Sequence, residues 1–144
     1  MFSKACEYGI KAAVYIAYKS QTGDRVGLGE IAKEIKSPVA FTAKVLQQLT
    51  RNRIVDSVRG PTGGFRISKE KAQRIKLFKI VTVIDGDSIY NGCGLGFRYC
   101  DENNPCPIHH KFIHIRSSLK LMLETTSLFD LSSDINEGIA FLKK

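Results

Sequence analysis

The sequence predicts a mainly α-helical protein with one small β-hairpin and a long helix towards its C-terminus. Two observations indicate this fold class. Apolar residues recur at helical spacing along most of the 144 residues, and two short β-branched stretches flank the turn cluster RGPTGG. The predicted helical ranges are 3–20, 28–36, 38–53, 69–86 and 107–127.

The first three helices have recognisable boundaries. Residues 3–20 are rich in alanine and carry a broad apolar face, and Gly23 is suited to end that helix. Ser37 and Pro38 are a favoured start for the third helix, because serine caps helices and proline fits the first turn. Two short helices joined by a tight connection are typical of a helix-turn-helix.

A predicted hairpin over residues 54–68 extends this outline. IVDSV and FRIS lie on either side of RGPTGG, and both alternate in the manner of strands. Pro61, Gly63 and Gly64 permit a tight tip that could approach a DNA backbone closely. A helix-turn-helix followed by a hairpin is a winged helix, so residues 1–86 are predicted to form a winged helix-turn-helix DNA-binding domain.

The rest of the chain divides into two segments. Residues 87–105 lack periodicity and are rich in Gly and Asn, which indicates a loop. Residues 106–144 hold the long helix and then a terminal segment with one more short helix, or a strand and a helix. The long helix carries a heptad-like apolar seam of Ile108, Phe112, Ile115, Leu119 and Met122. Such a seam either packs on its own domain or pairs with a second copy of the chain.

The charge of the chain is uneven. Residues 1–86 carry 16 Lys or Arg against 7 Asp or Glu, a net +9, whereas residues 87–144 carry 6 against 7, a net −1. A basic module favours a polyanion, most often nucleic acid, although many basic proteins only present solvated lysines. No apolar run approaches the roughly 20 residues that cross a membrane, and the N-terminus lacks the pattern of a signal peptide. A cytoplasmic protein without a membrane partner is therefore expected.

Three of the four cysteines lie in the segment CGLGFRYCDENNPCPIHH, residues 93–110, with the spacing C-x6-C-x5-C-x2-H. Cytoplasmic thiols stay reduced, which disfavours structural disulfides. Three thiolates and an imidazole suit a tetrahedral zinc site, but the paired C-x2-4-C knuckles of such sites are absent. The wider gaps suit an iron–sulfur cluster, and the spacing alone leaves both metals open.

The sequence resembles the bacterial winged-helix regulators typified by the iron–sulfur cluster regulator IscR and the nitric-oxide sensor NsrR. The resemblance covers nearly the whole chain. It rests on SKACEYGIKAAVYIA near the N-terminus, on the winged-helix stretch that ends in VRGPTGGFRIS, on the clustered cysteines, and on CPIHHKF at the start of the long helix. The resemblance implies a homodimer in which the long helix crosses its twin. Two recognition helices would then reach successive major grooves of a roughly palindromic operator.

The resemblance also implies a ligand set. Cys93, Cys100 and Cys106 match the three cluster cysteines of the family, although the first gap is one residue longer than in the iron–sulfur regulator. His109 matches the histidine ligand of a 2Fe–2S cluster in that regulator. Glu7 matches the position from which the nitric-oxide sensor supplies a carboxylate of the partner subunit to a 4Fe–4S cluster. We expect His109 as the fourth ligand and a 2Fe–2S cluster rather than a 4Fe–4S cluster, with Glu7, bound zinc and an apo state as alternatives.

The predicted recognition helix would read double-stranded DNA in the major groove, and the wing would reach the minor groove. The residues expected to contact DNA are Ser37, Thr42, Lys44 and Gln47 at the recognition helix, and Arg59, Thr62, Gly63 and Arg66 in the wing. The iron–sulfur regulator has a glutamate at the position of Ala43, so a different operator is expected.

The pattern of an enzyme is missing. The chain has no phosphate-binding glycine loop, no Ser-His-Asp order and no C-x-x-C. The sequence therefore predicts a homodimeric DNA-binding transcriptional regulator, controlled by an iron–sulfur cluster that senses cluster status, redox state or nitric oxide. The alternative is a winged-helix protein that is stabilised by zinc or works as a cluster-free thiol switch.

Overall fold

The computed structural model describes residues 1–143 and confirms the predicted fold class: within these residues a two-stranded hairpin accompanies eight helices. Lys144, the last residue of the predicted third segment, lies outside the described residues. The elements are α1 (Lys4–Ser20), α2 (Leu28–Glu34), α3 (Val39–Arg51), β1 (Asp56–Val58), β2 (Gly64–Arg66), α4 (Lys69–Arg74), α5 (Leu77–Asp85), α6 (Ser88–Asn91), α7 (His109–Thr125) and α8 (Leu128–Asn136).

Helix α1 is the centre of the hydrophobic core. It contacts α3, α5 and α8, and the stretch from Ala12 to Ala17 is buried. Ser3 caps α1 by accepting a hydrogen bond from the Cys6 N–H (3.0 Å), and Asp85 at the end of α5 accepts one from the Ser3 N–H (2.9 Å). The start of α1 is therefore tied to the end of α5.

Helices α2 and α3 form the predicted helix-turn-helix, with one correction at the cap. Pro38, not Ser37, is the N-cap residue of α3, and α3 has no side-chain cap. Ser37 is buried instead, with its hydroxyl 3.5 Å from the Pro38 carbonyl oxygen. Val45, Leu46 and Leu49 of α3 are buried in the core.

The wing is an antiparallel hairpin in which Ser57 pairs with Phe65. Val26, before α2, exchanges two backbone hydrogen bonds with Phe65 (3.0 and 2.8 Å), so the wing is attached to the helix-turn-helix. Gly64 has φ +137°, and a Cβ on Gly63 would lie 2.1 Å from the Val58 carbonyl oxygen. Both positions therefore require glycine, which accounts for the GG of the turn cluster.

Helix α7 packs on α5 and α6 through a face that the seam did not predict. The buried residues of α7 are His109, Arg116 and Leu123, seven residues apart. Within the predicted seam, Ile115 and Met122 are 60% and 42% exposed. The predicted seam therefore lies at the edge of the buried face and partly on the outside of the molecule.

Two further elements complete the fold. A short helix, α6, opens the predicted loop 87–105, and Tyr90 anchors it by stacking on Phe78 at 4.9 Å. Helix α8, predicted as a short helix or a strand and helix, starts at a capping box between Ser127 and Asp130 and packs against α1. None of the helices in residues 1–143 is both long enough and apolar enough to cross a membrane.

Candidate DNA-binding surface and cysteine cavity

Helix α3 presents a polar outer face. Lys44, Gln47 and Arg51 are exposed and line a groove of about 530 Å³ between α3 and the wing. Thr42 is 0% exposed, and its hydroxyl donates to the Pro38 carbonyl oxygen at 2.9 Å. The prediction that Thr42 faces outward is therefore wrong, because its side chain bonds to its own helix backbone on the inner face.

The wing contributes the other side of this groove. Arg59 lines the groove together with Phe65. Thr62, Gly63 and Arg66 lie on the neighbouring face of the wing, around a second depression. The wing residues predicted from the sequence therefore divide between two adjoining faces.

Arg25 is a candidate contact that the sequence analysis missed. It lies in the connection between α1 and α2 and donates from Nη1 to the Thr62 carbonyl oxygen at 3.3 Å. Its exposed guanidinium adds a cation beside Arg66 at the wing. Proximity to the wing arises only from the bridge between Val26 and Phe65, so no local pattern could have indicated it.

Within residues 1–143 the cations of this surface form no ion pair, although Asp24 lines the same depression as Arg25 and Arg66. Of the described residues, no Asp or Glu side chain lies within 4.0 Å of the basic groups of Arg25, Lys44, Arg51, Arg59 or Arg66. Positive groups that are not neutralised internally remain available to phosphates. Together with the helix-turn-helix and wing, this charge distribution is that of a DNA-binding surface.

The predicted cysteine segment encloses a cavity of about 490 Å³, called the cysteine cavity below. Its lining comprises Cys93, Phe97, Arg98, Tyr99, Cys100, Asp101, Asn104, Pro105, Cys106, Pro107 and His109. The tertiary structure therefore brings together four of the five predicted metal ligands. His109 takes part because it is the first residue of α7 and its side chain is buried.

The four donors form two close pairs. The Sγ atoms of Cys93 and Cys106 lie 3.8 Å apart, and Cys100 Sγ lies 3.3 Å from His109 Nδ1. All four cysteines of the chain are free thiols. The cavity thus offers two bidentate sets of soft donors rather than a disulfide.

The loop backbone favours the thiolate of Cys93. A hydrogen bond from the backbone of Leu95 is the main cause that lowers the pKa of the Cys93 thiol, and the backbone of Phe97 and the Cys106 thiol act in the same direction against partial desolvation. The thiolate is the form that binds metals and reacts with oxidants. In contrast, burial and the nearby Asp85 raise the pKa of Cys6 to about 12.

Arg116 is the second residue that the sequence analysis missed. Its Nη1 lies 3.2 Å from Cys100 Sγ and donates to the carbonyl oxygens of Asn91 (3.3 Å) and Gly92. One signal was available: Arg116 lies seven residues after His109 and therefore on the same face of a helix. The apolar seam lies on a different face of the helix and therefore does not indicate Arg116.

Glu7 lies apart from the cysteine cavity. It is in the first turn of α1 and pairs with Lys4, with 3.2 Å between Glu7 Oε2 and Lys4 Nζ. It is not part of the cavity lining. Within one chain the structure therefore joins His109, but not Glu7, to the three thiols.

The donor set can be tested against the geometry of metals. At a tetrahedral metal with metal–sulfur bonds of about 2.3 Å, two thiolates lie about 3.8 Å apart, and a thiolate and an imidazole lie about 3.5 Å apart. Both pairs in the cavity are close to these values. Among the described residues, however, no three Cys, His, Asp or Glu side chains are arranged to hold a single ion. Each pair on its own therefore has the spacing of two ligands at one metal.

Comparison with known proteins assigns the chain to a family. The sequence profile of the Rrf2 family, described as an iron-dependent transcriptional regulator, matches residues 2–134. An HTH-type transcriptional regulator of Aquifex aeolicus (strain VF5) is 35% identical over 134 residues, covering 91% of this chain and 90% of that protein. IscR of Yersinia pseudotuberculosis (serotype O:1b, strain IP 31758) is 27% identical over 124 residues, covering 86% of this chain and 74% of that protein.

Solved structures show the same fold. CymR, the global cysteine regulator of B. subtilis, superposes with a TM-score of 0.74 at 22% identity, covering 92% of this chain and 96% of that chain. T. potens IscR superposes with a TM-score of 0.74 at 19% identity, covering 98% of this chain and 92% of that chain. The relatives are named as transcriptional regulators, which are not enzymes. The chain belongs to the Rrf2 family of winged-helix, DNA-binding transcriptional regulators.

Proposed function

We propose that this regulator is a homodimer whose operator affinity is controlled by an iron–sulfur cluster held in the cysteine cavity. One observation carries the proposal: two pairs of metal donors, each at the spacing of a single metal, line one cavity at the start of α7. The name of the matching family, iron-dependent transcriptional regulator, supports the same conclusion. In this proposal the functional segments are residues 1–86 for DNA, 87–105 for the cluster and 106–144 for dimerisation.

The two donor pairs suggest a ligand assignment. Cys93 and Cys106 would hold one iron of a 2Fe–2S cluster, and Cys100 and His109 would hold the other. We propose His109 as the fourth ligand because its Nδ1 already lies beside Cys100 Sγ. Glu7 from the partner subunit remains the alternative, and a 4Fe–4S cluster would accompany it.

When bound, the cluster supplies a centre that responds to oxidants, nitric oxide and iron supply. The residues proposed to hold the cluster are next to a helix at each end of the cysteine segment. Cys93 follows α6 directly, and His109 begins α7. Ordering or release of the four donors therefore acts on the end of α6 and on the start of α7.

Contacts inside one subunit lead from α6 towards the recognition helix. The Tyr90 hydroxyl lies 2.6 Å from Thr82 Oγ1 in α5. Gln48 of α3 donates to the Val83 carbonyl oxygen at 3.4 Å. Helix α5 thus contacts both α6, which precedes the cysteine segment, and the recognition helix. This supports coupling between the cavity and DNA affinity.

The exposed part of α7 supports the proposal of a homodimer. Ile115, Leu121 and Met122 are exposed on this helix, on the side that α5 and α6 leave uncovered. A second α7 related by a twofold axis would cover them. Size-exclusion chromatography with light scattering tests this: Ile115→Glu with Met122→Glu should give a monomer, whereas the control double change Gln73→Glu and Lys79→Glu, at two exposed positions outside α7, should leave the dimer intact. A monomeric wild-type protein would contradict the proposal.

Anaerobic purification followed by iron and sulfide analysis tests the cluster. We expect a coloured protein with two irons and two sulfides per chain, and Mössbauer spectra of two inequivalent iron sites, because one pair contains a histidine. Cys93→Ala, Cys100→Ala or Cys106→Ala should abolish the colour. Cys6→Ala is the matched control and should retain it, since Cys6 lies in the core.

Other metal contents would identify the rival functions. One zinc ion per chain in a colourless anaerobic sample would establish a zinc-stabilised regulator. A metal-free protein with a reversible Cys93–Cys106 disulfide would establish a thiol switch. If His109→Ala kept the wild-type spectrum and Glu7→Ala changed it, the fourth ligand would be Glu7.

The DNA-binding surface is proposed to consist of the exposed cations and polar residues on α3 and the wing. These are Lys44, Gln47, Arg51, Arg59, Thr62, Gly63 and Arg66, with Arg25 added by the structure. Ser37 and Thr42 are left out because both are buried.

Operator titrations at several salt concentrations test this surface. Arg59→Ala should weaken binding and reduce the slope of log K against log salt by about 0.9, the value for one lost phosphate contact. Lys79→Ala removes the same charge from an exposed position on α5 and should change neither value. Equal effects of both changes would mean that only net charge matters.

A further inference from the structure

Arg116 is a buried cation with incomplete pairing. Its side chain is 8% exposed, on the face of α7 that contacts α5 and α6. Among residues 1–143, no carboxylate lies within 4.0 Å of its guanidinium. Its Nε–H is buried and finds no acceptor in the described part of the chain. A buried charge is strongly unfavourable unless an opposite charge compensates it, so the environment of Arg116 calls for an anion.

The cysteine cavity can supply that anion. Arg116 Nη1 lies 3.2 Å from Cys100 Sγ, which is one of the proposed ligands. Three thiolates and an oxidised 2Fe–2S core together have a net charge of about −1, and reduction by one electron makes it about −2. A fixed guanidinium beside Cys100 therefore stabilises both states, and the reduced state more.

The same side chain also holds the end of α6. The Nη1 group donates to the carbonyl oxygens of Asn91 and Gly92, immediately before Cys93. Arg116 therefore joins both donor pairs: Cys100 directly, and Cys93 through the backbone that precedes it. An exposed cation at the rim of the cavity could not hold both donor pairs in this way. Arg98 is such a cation: it is exposed and stacks over Tyr99 at 5.2 Å, so it serves as the control for Arg116.

We propose that Arg116 is the charge-compensating positioning residue of the cysteine cavity, which raises the reduction potential of the centre bound there and fixes the α6 end of the ligand loop. This inference rests on the proposed function. Arg116 contacts the sulfur of a proposed ligand and binds no metal itself. It acts through the electrostatic field of its charge at Cys100, and through its hydrogen bonds to the backbone of Asn91 and Gly92.

The test compares wild type, Arg116→Met, Arg116→Lys and Arg98→Met after anaerobic reconstitution with iron and sulfide. Potentials are measured by dithionite titration followed in the visible spectrum. We expect a shift to a more negative potential in Arg116→Met, since the reduced centre loses its cation, a smaller shift in Arg116→Lys, and none in Arg98→Met. Hydrogen exchange of the metal-free proteins is a second measurement. The backbone amides of residues 88–92 should exchange faster in both Arg116 variants than in wild type and Arg98→Met.

The results for Arg116→Met and Arg116→Lys distinguish a role of charge from a purely structural role. An Arg116→Met protein that binds the cluster with the wild-type potential would overturn the inference. Failure of Arg116→Met to bind the cluster, with recovery in Arg116→Lys and an unchanged circular dichroism spectrum, would support it, whereas failure in both variants would overturn the role of charge. A wild-type protein that binds no iron and sulfide would overturn the proposed function itself, and this result is distinct from all the others.

Discussion

The apolar core around α1 and the cysteine cavity are held together by different forces. In the core, residues such as Ile16, Leu46 and Leu49 are fully buried, so burial of apolar surface stabilises it. Around the cavity, Phe97 and Tyr99 are exposed and the contacts are between thiols, an imidazole and a guanidinium. The core is closely packed, whereas the cavity is a space of about 490 Å³ lined by three thiols and an imidazole.

The cysteines show the same contrast at the level of single atoms. Cys6 is fully buried in the core, and its thiol has a pKa of about 12. Cys93 has a pKa below its usual value because the loop backbone donates to its sulfur. The same residue type is therefore an inert packing residue in one region and a more reactive thiol in the other.

The largest expected difference is in thiol reactivity. The pKa of about 12 for the Cys6 thiol leaves it almost entirely protonated at about pH 8, whereas the lowered pKa of Cys93 favours its thiolate. Alkylation of Cys6 should therefore be on the order of a thousandfold slower. The measurement is iodoacetamide labelling of the metal-free native protein, with peptide mapping by mass spectrometry. Labelling in denaturant is the control, and it should make the two rates similar. Native rates within tenfold of each other would break the contrast between the regions.

Truncation of large apolar side chains should separate the two regions by stability. Ile16→Ala should lower the free energy of unfolding by about 2–5 kcal/mol, because it leaves a cavity in the core. Phe97→Ala in the metal-free protein should change it by less than about 0.5 kcal/mol, because Phe97 is 60% exposed. Urea titration of both variants measures these values. A comparable loss in Phe97→Ala would show that the loop is part of the folding core even without a bound group.

The smallest effect concerns pH and arises at the cap of α8, which packs against the core helix α1. Hydrogen bonds from the backbone and side chain of Ser127 lower the pKa of Asp130 below its usual 3.8. A lowered pKa means that this stabilisation is complete above the usual value and is lost as the pH falls through the lowered one. Asp130→Asn should therefore cost about 0.5 kcal/mol at neutral pH, and the difference from wild type should shrink towards pH 3.

Unfolding titrations of both proteins at several pH values measure this difference. Asp134→Asn is the matched control on the same helix, and it should show little change at any pH because Asp134 lies outside the capping box. A constant difference between Asp130→Asn and wild type across the pH range would show that the carboxylate charge does not contribute to the cap.

Local patterns in the sequence were sufficient for the winged helix. Helical spacing predicted α1 to α3, and the turn cluster RGPTGG predicted the wing, because both depend on residues close together in the chain. The same reasoning failed at Ser37 and Thr42, which the sequence placed at the helix cap and in the groove. Their orientation depends on packing of α3 against the rest of the domain, which no local pattern records.

The amino-acid sequence by itself determined the helix-turn-helix, the wing, the uneven charge and the set of three cysteines with His109. The tertiary structure alone decided how these donors pair and which face of α7 is buried. It also decided that Arg25 lies at the wing and Arg116 at the cysteine cavity. The physical reason is distance along the chain. Periodicity and turn chemistry act between near neighbours, whereas the pairs Cys93–Cys106, Arg116–Cys100 and Arg25–Thr62 form only when separate elements pack together.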